Sequence, residues 1–188
     1  MTWQDLHHSE LTVPQLYALL KLRSEVFVVE QQCVYQDVDG DDLVGENRHL
    51  LGWRDGELVA YARILKSEEE FAPVVIGRVI VSPAARGAKL GYQLMEQALA
   101  EYPNDLNLLY TRAMVAEKRG DLDQLERDLR FIIEREPANA MALNALGYTL
   151  ADRTTRLDEA RTLIEQAYQL NPEDPAILDS LDRKSTRL

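Results

Sequence analysis

The chain has 188 residues, 46% of them apolar and 28% charged, which is the balance of a folded soluble protein and enough for one ordinary domain or two small ones. Its net charge of -11 argues against nucleic acid as a partner, because phosphates would be repelled before any groove was read. No apolar run approaches the roughly 20 residues of a membrane span, and the opening MTWQDLHHSE has neither a basic nor an apolar leader region, so no membrane partner and a cytoplasmic location are expected.

Pro14 suits the first turn of a helix, and Leu16, Leu19, Leu20, Leu22, Val26 and Phe27 follow helical spacing, which predicts a helix over 14–27. A polar stretch over 36–47 leads into His49-Leu50-Leu51-Gly52-Trp53, then Asp55-Gly56, then an apolar run over 58–65. An Asp-Gly pair between two apolar runs predicts a β-hairpin. After the acidic segment 67–70, the β-branched run 74–81 predicts a third strand, stopped by Ser82-Pro83, with an unprotected outer edge. Leu90, Leu94, Met95, Ala98 and Leu99 mark one face of a helix that ends before Tyr102-Pro103. Residues 1–102 therefore read as an α+β half domain, with a mixed or antiparallel sheet and helices, and everything past Gly87 reads as helix.

Beyond that point the chain repeats itself, because Pro103, Pro137 and Pro172 stand 34 and 35 residues apart. Leu109, Ala113, Ala116, Leu125, Leu129, Ile132 and Pro137 in one unit answer Leu143, Leu146, Gly147, Leu150, Ala160, Ile164, Ala167 and Pro172 in the next. The period and these positions resemble tetratricopeptide repeats, two full and one partial over 103–181. The resemblance implies an all-α array whose concave surface takes a protein or peptide partner. Residues 182–188 read as an unstructured tail.

The strongest chemical signal is a strand, a short loop and a helix: Gly77-Arg78-Val79-Ile80-Val81-Ser82-Pro83-Ala84-Ala85-Arg86-Gly87-Ala88-Lys89-Leu90-Gly91. Holding a pyrophosphate needs successive backbone N–H groups and the positive end of a helix, and glycines let the backbone come close. The segment resembles the acyl-CoA motif of the GNAT N-acetyltransferases, with Arg86 and Gly91 on the pattern and Lys89 where its first glycine would stand. Residues 22–31, 47–53 and 59–65 resemble the ElaA-like branch of that family in order and spacing. The resemblance implies acetyl-CoA as co-substrate and a small-molecule or peptide amine as acceptor. It also implies backbone pairing of the pantetheine arm by Val79, Ile80 and Val81, and a phosphate cradle over Arg86, Gly87, Ala88, Lys89, Leu90 and Gly91.

The catalytic base is left open among Glu30, Asp37, Asp39, Asp41, Asp42, Glu46 and His49, since a carboxylate or imidazole can take the amine proton directly or through water; as a group they also read as a solvated acidic loop and a strand histidine. The aspartates miss the spacing of a calcium loop, the His7-His8 pair reads as solvated, and no metal site is expected. Cys33, the single cysteine, has no adjacent base that would make it a nucleophile. The strand that follows the acyl-CoA helix in the GNAT fold has no counterpart, and Tyr110 and Tyr148 on repeat-type helices cannot replace the family's proton donor. Three readings result: an acetyl-CoA-dependent N-acetyltransferase impaired by loss of the second half of its fold, an interaction module of helical repeats with a vestigial front domain, and a non-functional chimera of two gene fragments.

Overall fold

The computed structural model describes residues 1–69, 72–87 and 89–185, and the chain divides into two compact units, Met1–Leu108 and Leu109–Leu188. The front unit carries a four-stranded antiparallel sheet in the order β1 (Thr2–His7), β2 (Arg48–Arg54), β3 (Glu57–Leu65) and β4 (Val75–Val81). The sheet is antiparallel throughout, which removes the mixed alternative. Strands β2, β3 and β4 fall on the three apolar runs, and Asp55 (φ 52°) and Gly56 (φ 82°) make the hairpin turn between β2 and β3 in the left-handed conformation such a turn requires.

Strand β1 was not expected from the sequence, whose only strongly apolar residues there are Trp3 and Leu6. It forms because its full length pairs with β2, from Thr2 opposite Trp53 to His7 opposite Arg48. Trp3 lies across the strand from Gly52, where an added Cβ would meet its ring at 2.5 Å, so the glycine makes room for the indole.

Helix α1 (Val13–Arg23) is capped by Thr12 and Gln15, each bonding the other's backbone N–H. The predicted helix over 14–27 changes character at Ser24, where a π-helical segment (Ser24–Glu30) takes over; it closes with Gln31 N–H donating to Val26 O at 2.9 Å. Helix α2 (Leu90–Glu101) starts after β4 and a 3-10 turn (Pro83–Ala85). Leu19, Leu22 and Val26 pack with Leu51, Tyr61 and Ile80, while α2 packs on β2, β3 and β4. Side chains alternate along a strand, and Gly91 of α2 lies near Val81, which pairs with Ala60 rather than with Tyr61. The two helices therefore cover opposite faces, which explains why β3 is apolar on both.

The expected bare edge of β4 is partly covered. One residue before the strand, Val74 donates its N–H to Asp105 Oδ2 (2.8 Å) and accepts from Asn107 Nδ2 (2.9 Å), so two side chains stand in for a neighbouring strand. Asp105 also accepts from the N–H groups of Asn107 and Leu108, at the start of α3 (Leu106–Arg119).

The second unit is helical: most of α3, then α4 (Leu122–Arg135), α5 (Ala140–Arg153), α6 (Leu157–Leu170) and α7 (Pro175–Ser185). Each repeating proline follows a helix end by two residues: Pro103 after α2, Pro137 after α4 and Pro172 after α6. Asp121 and Asn139 cap α4 and α5. At Gly147 helices α5 and α6 come close, since a Cβ there would meet Ile164 Cγ1 at 2.7 Å and the Ala160 carbonyl at 3.0 Å. The small and apolar positions of the two units, including Ala113, Ala116, Leu125, Leu129, Leu143, Leu146, Leu150, Ala160 and Ala167, are buried. Helix α7 continues to Ser185, so 182–185 are helical rather than the start of an unstructured tail; 186–188 lie outside the described residues. Among the described residues no strand follows β4, and no helix is long and apolar enough to cross a membrane.

Candidate functional site

Strand β4, its exit loop and α2 form one continuous element. Ser82 N–H donates to Val59 O at 2.8 Å, so alternation turns the N–H and C=O of Val81 away from β3 toward the outer edge. A bulge precedes it: Tyr61 faces Ile80 and Arg63 faces Gly77, which leaves Arg78 and Val79 opposite Ala62 alone, with Arg78 at φ 53°. Ile80 is buried in the core against α1, Val79 is exposed, and Val81 is half-buried.

Past the 3-10 turn, Arg86 is extended and exposed, Gly87 adopts φ 87°, and Lys89 adopts φ 59° immediately before Leu90 opens α2. Ala88 lies outside the described residues. Lys89 therefore holds the left-handed conformation that glycine adopts without cost, at the position where the motif would have glycine. The Lys89 side chain makes no capping bond to α2, and Tyr92 N–H turns back to the Lys89 carbonyl (3.1 Å), so the N–H groups of Leu90 and Gly91 are the ones that face out of the helix end with the positive pole of the helix dipole. The Leu90 side chain is buried, leaving its backbone to the site, and a Cβ on Gly91 would meet only Val81 Cγ2 at 3.9 Å. Of the four non-glycine residues with positive φ among the described residues, Asp55 belongs to the hairpin turn. Arg78 and Lys89 flank the loop, and Gln32 follows the π-helical segment that carries Glu30.

Arg86 is engaged. Its Nη1 and Nη2 donate to Glu30 Oε1 (2.5 Å) and Oε2 (2.8 Å), and these hydrogen bonds hold the Glu30 carboxyl below the usual carboxylate range. A carboxylate so held is a poor proton acceptor.

Three aspartates of the acidic loop enter an ion cluster, while most of the loop around them stays exposed. Arg23, fully buried at the end of α1, donates from Nε to Asp37 Oδ2 (2.8 Å), from Nη1 to Asp42 Oδ1 (2.6 Å) and from Nη2 to the Asp37 carbonyl (2.6 Å). Arg63 on β3 donates to both oxygens of Asp39 (2.7 Å each) and to Asp42 Oδ1 (2.9 Å). Arg78, aimed by the bulge, reaches Asp37 (2.7 Å) and Asp39 (3.0 Å) and lies over the Tyr35 ring. Burial pushes the Asp37 carboxyl up, but the bonds and charge of Arg23, with Tyr35 and Arg78, outweigh it and leave it below its ordinary value; the bonds from Arg63 hold the Asp39 carboxyl well below its ordinary value too. Three arginines meet three aspartates, and of the cluster's buried side-chain atoms, among the described residues, Asp42 Oδ2 and Arg63 Nε lack a hydrogen-bond partner.

His49 is buried between Tyr61 and the Asp42 carbonyl, and burial lowers its pKa. Asp37, Asp39, Asp42 and His49 are thus committed to packing, and Asp41 and Glu46 stay exposed. His7 and His8 are not simply solvated, since both donate from Nε2 to the Gly45 carbonyl, at 3.1 and 2.9 Å. Sequence reasoning missed the cluster, although an arginine inside the apolar run Leu58–Leu65 and another between Leu22 and Val26 were the signals of it.

The acetyltransferase (GNAT) family model matches residues 14–119, more than half of the chain. Protein ElaA of Escherichia coli (strain K12) is 72% identical over 97 residues, which are 52% of this chain and 63% of that protein. Its crystal structure superposes with a TM-score of 0.51 at 70% identity, over 53% of this chain and 68% of the other. An acyl-CoA N-acyltransferase from Pseudomonas aeruginosa gives 0.50 at 58% identity, over 54% and 68%. The TPR repeat-containing protein PA4667 of the same species is 70% identical over 90 residues, 48% of this chain but 15% of that protein. The chain thus spans less than two thirds of the length of Protein ElaA and a small part of PA4667.

Proposed function

The chain belongs to the acetyltransferase (GNAT) family, and from that premise we propose that its front unit binds an acyl-CoA, with acetyl-CoA as the co-substrate and an amine as the acceptor. The observation that carries this reading is the continuity of an outward-facing strand edge at Val81, a strained loop bearing Arg86, Gly87 and Lys89, and an uncapped helix start at Leu90 and Gly91. The edge pairs with the pantetheine arm as an added strand would, and the loop and helix end receive the pyrophosphate.

Turnover is expected to be impaired. The amine nitrogen attacks the thioester carbonyl and coenzyme A leaves as the thiol, which demands alignment of both partners, a demand worth about 7–11 kcal/mol of barrier. Among the described residues β4 has no outer neighbour strand to form the other wall of the slot, and the buried carboxylates are held by arginines. Calorimetry with acetyl-CoA tests the reading: weak, salt-sensitive binding is expected, reduced by Arg86→Glu and by Gly91→Trp, with no acetylation of an amine panel above background. No binding at low salt would refute the site, and robust turnover would refute the impairment.

A second reading concerns the helical unit. The chain's 70% identity over 90 residues to a protein named for TPR repeats, the 34- and 35-residue proline spacing and the close α5–α6 approach at Gly147 support a repeat module that docks a protein or peptide. The two matched shares, 52% and 48% of the chain, also support a fusion of two gene fragments.

A further inference from the structure

In the acyl-CoA reading, the guanidinium of Arg86 meets the phosphates, yet it is already gripped by a carboxylate. Both terminal nitrogens of Arg86 are used by Glu30, in the paired geometry that a phosphate would otherwise take. We propose that Glu30 is an internal competitor for the cofactor's phosphates, a latch that Arg86 must leave before it closes on pyrophosphate; the proposal rests on the acyl-CoA reading of this site.

Three features of the chain support a latch over an incidental surface pair. The partners stand 56 residues apart, so the contact depends on the fold and not on helical neighbourhood. Glu30 ends the π-helical segment, whose wider turn moves it off the position that continued α-helix would give it, and Gln32 at φ 52° turns the chain back immediately afterwards. Both side chains are solvent-exposed, at 45% and 39%, so a dissolved anion can reach the guanidinium and exchange with the carboxylate. Exposure also bounds the strength: an exposed pair shifts an equilibrium by at most about fivefold. A pyrophosphate, with more charge and with the α2 N–H groups to meet it, displaces such a partner, whereas a single weak anion gains little.

The test is calorimetric titration of the full chain with coenzyme A, which binds without reacting, using wild type, Glu30→Gln, Arg86→Gln and the double variant, each checked for native circular dichroism. Glu30→Gln is expected to bind up to about fivefold tighter, Arg86→Gln to bind more weakly, and the Glu30 change to have no effect once Arg86 is gone. Unchanged or weaker binding by Glu30→Gln overturns the latch and leaves the acyl-CoA site standing. An equal gain with and without Arg86 also overturns it, because that is general charge repulsion. Absence of binding in all four proteins removes the site and the latch together.

Discussion

Tyr61 donates its hydroxyl hydrogen to Nδ1 of His49, because Nε2 of the same ring lies 2.8 Å from the Asp42 carbonyl oxygen, which can only accept. The ring is thereby held neutral. Burial, with the charges of Arg23 and Arg63, lowers its pKa, so the unfolded chain binds the proton more readily. The His49 contribution to stability is complete above about pH 6.5 and is lost as pH falls below it, at no more than about 1.4 kcal/mol per pH unit. Losses from Asp37 and Asp39, whose pKa values are also lowered, begin only below about pH 4. Urea titrations at about pH 7.5 and about pH 5.5 should show the drop in wild type and a flatter response in His49→Phe; equal slopes would sink the assignment.

Arg23→Met should cost about 3–5 kcal/mol, because it strips donors from two buried carboxylates and a buried carbonyl at once. Arg48→Met, whose ion pair with Asp5 is partly solvated, should cost no more than about 1 kcal/mol. Denaturant unfolding of the two variants side by side checks the ranking, and a reversal would mean that the cluster is not what holds the loop down.

Lys89→Gly should stabilise the chain by about 1 kcal/mol by relieving a left-handed backbone, whereas Lys89→Ala should bring no gain. Gly91→Ala should be tolerated, given the 3.9 Å clearance to Val81. Thermal unfolding separates these outcomes: equal shifts for the two Lys89 variants would indicate an effect of charge and not of conformation.

In the helical unit, Gly147→Ala tests packing against propensity. Alanine gains about 1 kcal/mol as a helix former, yet its Cβ collides with Ile164 and the Ala160 carbonyl, an overpacking that costs about 1–3 kcal/mol. Net destabilisation is expected by circular-dichroism melting, and a stabilised variant would show that α5 and α6 can separate freely.

Strands β2 to β4 were legible because long apolar runs and an Asp-Gly turn carry their own signal, and α2 because its apolar face repeats. Strand β1 was not, since an edge strand with two strongly apolar residues depends on its partner more than on its own composition. The π-helical segment was hidden too: Val26, Phe27, Val28 and Val29 suit a continuing α-helix, and what distinguishes the wider turn is where Glu30 lands. At the site, the loop from Arg86 to Gly91 was visible as a motif. Its contact with Glu30 was not, because a pairing across 56 residues leaves no local trace. The acidic loop misled for a related reason, as charge density near Asp39 looks solvated until Arg63 and Arg78 are placed beside it.

The neutral cluster of Arg23, Arg63, Arg78, Asp37, Asp39 and Asp42 also constrains how the sequence can drift. Each member serves two others, so any single change takes a partner from two of them and leaves the cluster with a net charge, and its cost is not the sum of pairwise terms. Across descendants of such a chain, these six positions should be inherited as a block, exchanged together or kept together, even where the surrounding loop diverges.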